Sequence, residues 1–397
     1  MKSLDHPNEG AALGLGGTKE SSEEIVRSTA VGEPAEAERG RDGGSIRSCD
    51  DATPTGRLRE GRPLARESRK FAVEHRARSW WCFLSTMVAL AAAVFVAAVD
   101  GPWVLRIGAS VLAALLHVRL FVIYHDYLHD AILRSSRIAD AFFRIYGLLS
   151  LSPASVWRET HDHHHRNNLR RFGLDSVGSF PVMTTEAYRR ARPLSRFLYR
   201  VARHPLTILS GYVTVFFWGF CLQPLLTNPR RHVDAIVALV VHVGTAVILT
   251  MAMGIDSLLF AFVVPSIIAS ALGAYLFYAQ HNCPGVKLRA GSDWDYVFAA
   301  LRSSTFIDMS RAMHYFTANI GYHHVHHLNH HIPFYRLPEA MAAIPALQSP
   351  CTTSLWPTEI VRCLRLKLWD VEKDRLVTFA EARRLRKAAT AAAGVAT

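Results

Sequence analysis

Five apolar stretches stand in the middle of this 397-residue chain. They run over 80–99, 103–124, 205–227, 234–253 and 257–278. Each is close to the ~20 residues that cross a bilayer hydrocarbon core of ~30 Å. In that solvent every backbone N–H and C=O needs an internal partner, so stretches of this length and continuity are read as helices. Trp80, Trp81, Trp103 and Tyr124 stand at block ends, where amphipathic rings favour the membrane interface.

The second constraint is histidine placement. HDYLH (His125, His129), HDHHH (His161, His164, His165) and HHVHH (His323, His326, His327) lie outside the apolar blocks and beside or between them. Spacings of i,i+4 and i,i+3,i+4 put these rings on one helix face. With 20 histidines in 397 positions, one H-x-x-x-H pair is expected about once by chance, whereas H-x-x-H-H is expected roughly 0.05 times. Neutral imidazole suits iron, copper and zinc. A set of eight exceeds the four ligands of one structural zinc, so two metal ions are expected. A transporter would keep its ligands near the bilayer midplane, and haem would use only one or two axial histidines. Both readings leave these clusters unexplained.

If the second and third clusters share a metal site they lie on one side of the membrane, and an even number of crossings separates them. Blocks 234–253 and 257–278 form a pair that turns at Gly254-Ile255-Asp256, without basic residues. The block 205–227 is interrupted by Gly211, Gln223 and Pro224 and followed by Arg230 and Arg231, so it is expected to dip into the membrane or lie along it. The expectation is an all-α integral membrane protein. Four transmembrane helices form two hairpins under a cytoplasmic, histidine-rich helical cap drawn from 125–204 and 279–370. The protein is thus multi-pass, with its active site on the cytoplasmic face.

Composition bounds the rest. The formal net charge of +12 comes mostly from arginine beside apolar segments. This fits cytoplasmic flanks and anionic lipid better than nucleic acid, which is excluded as a partner. Residues 1–72 are rich in Gly, Glu, Arg and Ser and are expected to be a disordered basic tail. No early apolar core precedes a cleavage site, so no leader peptide is expected. A single domain is placed at 73–370, followed by a tail at 371–397 with a short basic helix near 378–393. Cys49, Cys82, Cys221, Cys283, Cys351 and Cys363 form no C-x-x-C pair and are read as reduced packing residues.

The words HDYLHDAIL, SPASVWRETHDHHHRNN, DSVGSFPVMTTEAYRR, FYAQHNCPG and NIGYHHVHHLNHHIPFYRLPEA occur in that order. Through them, over about residues 80–345, the chain resembles the membrane-bound fatty acid desaturase family, especially acyl-lipid desaturases of the delta-12/omega-6 type. The resemblance implies two irons with O2 as co-substrate. It adds the histidine of the FYxQH word and so implies nine ligands: His125, His129, His161, His164, His165, His281, His323, His326 and His327. It implies desaturation of a fatty acyl chain carried on a membrane lipid or a thioester. Electrons would come from a ferredoxin or cytochrome b5-type donor, a separate protein because no H-P-G-G word is present. A hydroxylase or ketolase with the same centre stays open, as does a non-enzymatic membrane metal-binding protein.

The chemistry agrees with that reading. An unactivated methylene C–H bond demands a strong oxidant, and two metal ions with two external electrons can make one from O2. Soluble di-iron bundles use Glu-x-x-His pairs, which this chain lacks. Asp126 and Asp162 either orient ligating imidazoles or are solvated charges. Asn319 precedes the third cluster where the family holds a metal-bound water. Trp157 and Tyr278 either line an acyl channel or anchor helices at the interface. His163 and His324 are off the ligand pattern and are expected to support ligands rather than bind metal. His330 and His331 are read as surface residues. His117 and His242 are read as neutral rings bonded across the helix bundle. Arg158, Arg166, Arg170 and Arg171 are read as ordinary positive flank, with a headgroup or an acidic donor as the alternative.

Overall fold

The computed structural model describes residues 61–170, 172–173 and 179–395, all within one compact unit, Ile46–Thr397. The chain is mostly helical. Four helices are long and apolar enough to cross a membrane: Arg76–Ala98, Trp103–Leu128, Val233–Met253 and Ile255–Ala279, with 23, 26, 21 and 25 residues. At 1.5 Å per residue each reaches or exceeds the ~30 Å hydrocarbon core. These helices are α2 (Arg76–Ala98), α3 (Trp103–Leu128), α10 (Val233–Met253) and the pair α11 (Ile255–Leu258) and α12 (Val264–Ala279), joined by a π-helical turn over Leu259–Val263.

α2 packs along α3, and α12 packs on α3 from another side. Small residues permit the approach: Ala97, Ala98, Ala109 and Ala261 are buried together, as are Ala114 and Ala269. Outward, Met251, Ile248, Val88 and Trp81 are 69–84% exposed, a surface that water does not tolerate in this density.

The block at 205–227 is not one continuous α-helix. It is broken into α8 (Pro205–Leu209), a π-helical stretch over Tyr212–Leu222 and α9 (Gln223–Thr227). A Cβ on Gly211 would stand 2.5 Å from the Ser270 carbonyl oxygen, so glycine alone lets this segment press on α12. His242 bonds the Leu149 carbonyl through Nδ1 at 2.8 Å and the Tyr212 hydroxyl through Nε2 at 2.5 Å. His117 faces the Tyr146 hydroxyl at 3.4 Å. Both rings bond to other helices, as the sequence reading expects.

Shorter helices complete the fold: α1 (Gly61–Ser68), α4 (Arg137–Leu149), α5 (Ala154–Asn167), α6 (Thr185–Arg190) and α7 (Pro193–Ala202). Beyond the last span lie α13 (Tyr296–Arg302), α14 (Arg311–Phe316), α15 (His323–Leu328), α16 (Leu337–Ala343), α17 (Pro357–Arg365) and α18 (Phe379–Val395). Two small sheets tie these together. β1 (Met183–Thr184) pairs parallel with β4 (Leu368–Asp370), which pairs antiparallel with β5 (Arg375–Val377). β2 (Thr305–Asp308) pairs parallel with β3 (Cys351–Ser354).

Regular structure continues past both expected domain edges. The tail drawn over 1–72 lies outside the described residues as far as 60, but 61–71 is helical. There Ser68 and Phe71 are buried, with Phe71 in the main core. The edge at 370 falls between β4 and β5, whose Trp369, Leu376 and Val377 are buried. In both places a few apolar side chains inside polar sequence reach the core, and composition averages them away.

Candidate metal centre

Each histidine cluster sits on an element fixed by polar contacts. α3 carries His125 and His129 to its C-terminal end. α5 is docked at its first turn on α10: Asp234 accepts the Ser155 backbone N–H at 3.0 Å and its hydroxyl at 2.5 Å. A carboxylate at a helix N-terminus complements the unpaired N–H groups there. α15 is held from α13, where the Tyr296 hydroxyl donates to the His327 carbonyl at 2.7 Å. Gln280, one residue before His281, donates to the Ile320 carbonyl at 3.1 Å.

The nine imidazoles singled out from sequence come together in two groups. His125, His129, His161, His165 and His326 form one; His164, His281, His323 and His327 form the other. All nine are buried. Within each group the candidate ligand atoms lie within 4.8 Å of one another. The two groups interleave. On α5, His161 and His165 serve the first group and His164 the second; on α15, His326 serves the first and His323 and His327 the second.

Neighbouring Nε2 atoms are 3.0 to 3.1 Å apart: His125–His161, His161–His165 and His165–His326 in the first group, His164–His281, His281–His323 and His323–His327 in the second. Two ligands at right angles around a metal at ~2.1 Å would be separated by about 3 Å. Hydrogen bonding alone cannot satisfy the array. The carbonyl of Ser303 only accepts, so His281 Nδ1 carries the proton it offers there at 2.9 Å. Its Nε2 is then a bare lone pair facing two others. His129 Nε2 is buried without a hydrogen-bond partner. A cation in each group resolves both problems, and the donor set fits a transition metal with a preference for imidazole.

Protonation of the rings would undo this. Burial, reinforced by neighbouring imidazoles, holds His129, His161, His164, His165, His323, His326 and His327 well below the ordinary 6.5. Burial lowers His281 to about 4, opposed by its bond to Ser303. The neutral form is the one that binds metal.

The supporting residues divide. Asp126 is 1% exposed; one oxygen accepts from His125 Nδ1 at 3.0 Å and the other from the Phe334 N–H at 2.7 Å. The carboxylate holds the His125 proton on Nδ1 and leaves Nε2 free. Asp162 does not share this role: it is half-buried, feels Arg166 and Arg158, and bonds no imidazole among the described residues. The Asn319 side chain donates to the Phe334 carbonyl at 3.1 Å, so it braces the residue whose N–H Asp126 accepts.

Trp157 packs on the centre, its ring 4.3 Å from His161, 5.1 Å from His129 and 5.4 Å from His125. Tyr278 is buried and donates to the Leu366 carbonyl at 2.9 Å. It shares a small cavity with Phe180, Phe277, Arg203 and His281. Phe277 was not singled out from sequence. It is the one half-open side chain in the otherwise buried run 274–283, with its ring 5.4 Å from His164, 6.4 Å from His281 and 6.5 Å from His161. Its signal was its place in the FYAQH word.

His324 turns away, bonding the Leu347 carbonyl through Nε2 at 3.0 Å, and His163 is exposed. His331 is exposed, as read. His330 is not a surface residue. It is half-buried, with its ring 4.8 Å from His129 and 5.1 Å from His165. Arg158, Arg166 and Arg170 are exposed, Arg170 lying over Trp294 at 5.3 Å, and Arg171 lies outside the described residues.

Long apolar helices beside nine convergent buried imidazoles define a membrane-associated protein with two histidine groups that could hold metal. The model of the fatty acid desaturase family matches residues 101–350, and the chain belongs to that family of oxidoreductases. A fatty acid desaturase of Bacillus subtilis (strain 168) is 27% identical over 321 residues, 80% of this chain and 90% of that protein. An sn-1 oleoyl-lipid 12-desaturase of Synechocystis sp. is 24% identical over 224 residues, 55% of this chain and 62% of that protein. An sn-1 acyl-lipid omega-3 desaturase (ferredoxin) of Nostoc sp. is 25% identical over 252 residues, 60% of this chain and 68% of that protein.

Proposed function

We propose that the chain is an O2-dependent fatty acyl desaturase that holds two irons on His125, His129, His161, His164, His165, His281, His323, His326 and His327. The observation that carries the reading is the convergence of these rings into two interleaved groups in a member of this family. Held there, two irons would supply, with O2, two external electrons and two protons, the oxidising power to remove one hydrogen from each of two adjacent carbons, giving a double bond and two waters.

The chain's own residues prepare that chemistry. Asp126 and the Ser303 carbonyl fix the tautomers of His125 and His281, one in each group. Trp157 covers three rings of the first group and excludes water. Phe277 faces both groups from the end of α12, and with Phe180 it offers an apolar wall to the substrate methylenes. The substrate is an acyl chain on a membrane lipid, and the donor is a separate protein. A relative whose name specifies ferredoxin supports an iron–sulfur donor. The four long helices form two hairpins, with the centre on the cytoplasmic side. The domain extends from about 61 through α18.

Expression in a host without polyunsaturated lipids, followed by mass spectrometry of fatty acid methyl esters, tests this. The expected product is two hydrogens lighter than its precursor and absent from His161→Ala and His326→Ala. A product heavier by one oxygen would make the chain a hydroxylase, and activity in both variants would overturn the ligand set.

A further inference from the structure

α7 carries three different faces. Inward, Tyr199 is fully buried, accepts the Met183 N–H at 3.1 Å and donates to the Lys367 carbonyl. At the helix end Arg203, also fully buried, donates to the Pro181 carbonyl, to Asn282 Oδ1 and to the Leu366 carbonyl. These bonds fix the rotation of the helix. Outward, Leu194, Phe197, Leu198 and Val201 are 67%, 61%, 48% and 44% exposed. They follow i, i+3, i+4, i+7 and make one stripe that the anchored helix cannot turn inward.

The face away from this stripe is basic. Arg192, Arg196 and Arg200 succeed one another at four-residue intervals, and none pairs with a carboxylate among the described residues. At 10 residues α7 is about 15 Å long, half of what a crossing needs. It runs into α8, which packs on α12, and the apolar exposure continues there through Leu206 and Leu209. α4 repeats the pattern beside α10, with Ile138, Ile145 and Leu149 exposed and Phe143 and Tyr146 buried.

We propose that α7 is an interfacial helix that binds an anionic bilayer surface, its apolar stripe in the acyl boundary and its arginines on headgroup phosphates. Continuity with the spans and arginines without carboxylate partners fit an anionic lipid leaflet, because an acidic protein would leave the four apolar side chains without a partner. This inference needs only that the long helices sit in a bilayer, and it does not depend on desaturase activity.

The test is amide hydrogen exchange of the purified full-length protein in nanodiscs of phosphatidylcholine alone or with one third phosphatidylglycerol. Each arginine near such a surface is worth about a fivefold bias. Amides of 193–202 should exchange several-fold more slowly with phosphatidylglycerol present. The difference should vanish in Arg192→Gln/Arg196→Gln, and Phe197→Asp should speed exchange in both discs. α3 amides serve as the folding control. In wild type, raising salt from about 0.1 M to 1 M shortens the screening length from ~10 Å to ~3 Å and should remove the lipid dependence without any substitution. Exchange indifferent to lipid and to salt would overturn the proposal. So would slowing seen only when an acidic soluble protein such as a ferredoxin is added, which would make this a protein-docking face.

Discussion

Replacing Asp126 by Asn exchanges one carboxylate oxygen for an NH2 group at a deeply enclosed polar contact of the centre. The carboxylate accepts on both oxygens, from His125 Nδ1 at 3.0 Å and from the Phe334 N–H at 2.7 Å, at 1% exposure. The amide keeps the shape but has one acceptor, so its NH2 must face one of these donors. A buried hydrogen bond is lost and donors are left unsatisfied, at about 1–3 kcal/mol. If the loss falls on His125, its tautomer is released, which at metal sites costs roughly 10–100-fold in affinity or activity. Metal per chain by mass spectrometry and product formation per chain should show turnover at least tenfold down. Asp162→Asn is the matched control and should stay within about twofold, because that carboxylate bonds no imidazole among the described residues. Wild-type metal and turnover in Asp126→Asn, or an equal fall in Asp162→Asn, would refute the reasoning.

His281→Ala and His129→Ala, one from each group, should each lower bound metal in purified protein. Phe277→Ala should keep both metals but broaden the positions or kinds of product, read by mass spectrometry of the esters; an unchanged product profile would remove it from the substrate wall. Gly147→Ala places a Cβ 2.6 Å from the Tyr124 hydroxyl and 2.9 Å from the Ser152 carbonyl oxygen. It should destabilise by about 1–3 kcal/mol, measured as a lower Tm in detergent. Burial, then the Arg203 guanidinium, pushes Lys367 down to about 7 from 10.5. Between those values the unfolded chain binds more protons than the folded one, so stability rises with pH across that window. The rise should be missing in Lys367→Met, as read by thermal unfolding from pH 7 to 9.

The spans were legible because a bilayer rewards a run of apolar residues directly, and their expected limits lie within a few residues of α2, α3, α10 and the α11–α12 pair. The histidines were legible because i,i+3,i+4 is a helix-face pattern. Their division between the two groups was not, since it depends on how α5 and α15 cross. Ser303 contributes a backbone carbonyl, which any residue carries, and so left no trace in the sequence. Asp126 and Asp162 looked equivalent beside their histidines, and the bonds Asp126 makes to His125 and to the Phe334 N–H distinguish them. Strands of two to four residues hold too few positions for an alternating pattern, so β1 to β5 went unseen.

The interleaving of α5 and α15 links the two halves of the centre mechanically. Because one turn of α5 sends His161 and His165 to one side and His164 to the other, a twist of that helix by a few degrees tightens one cage as it slackens its neighbour. Neither cage can therefore be reshaped alone, and any change that displaces the rings of one displaces those of the other.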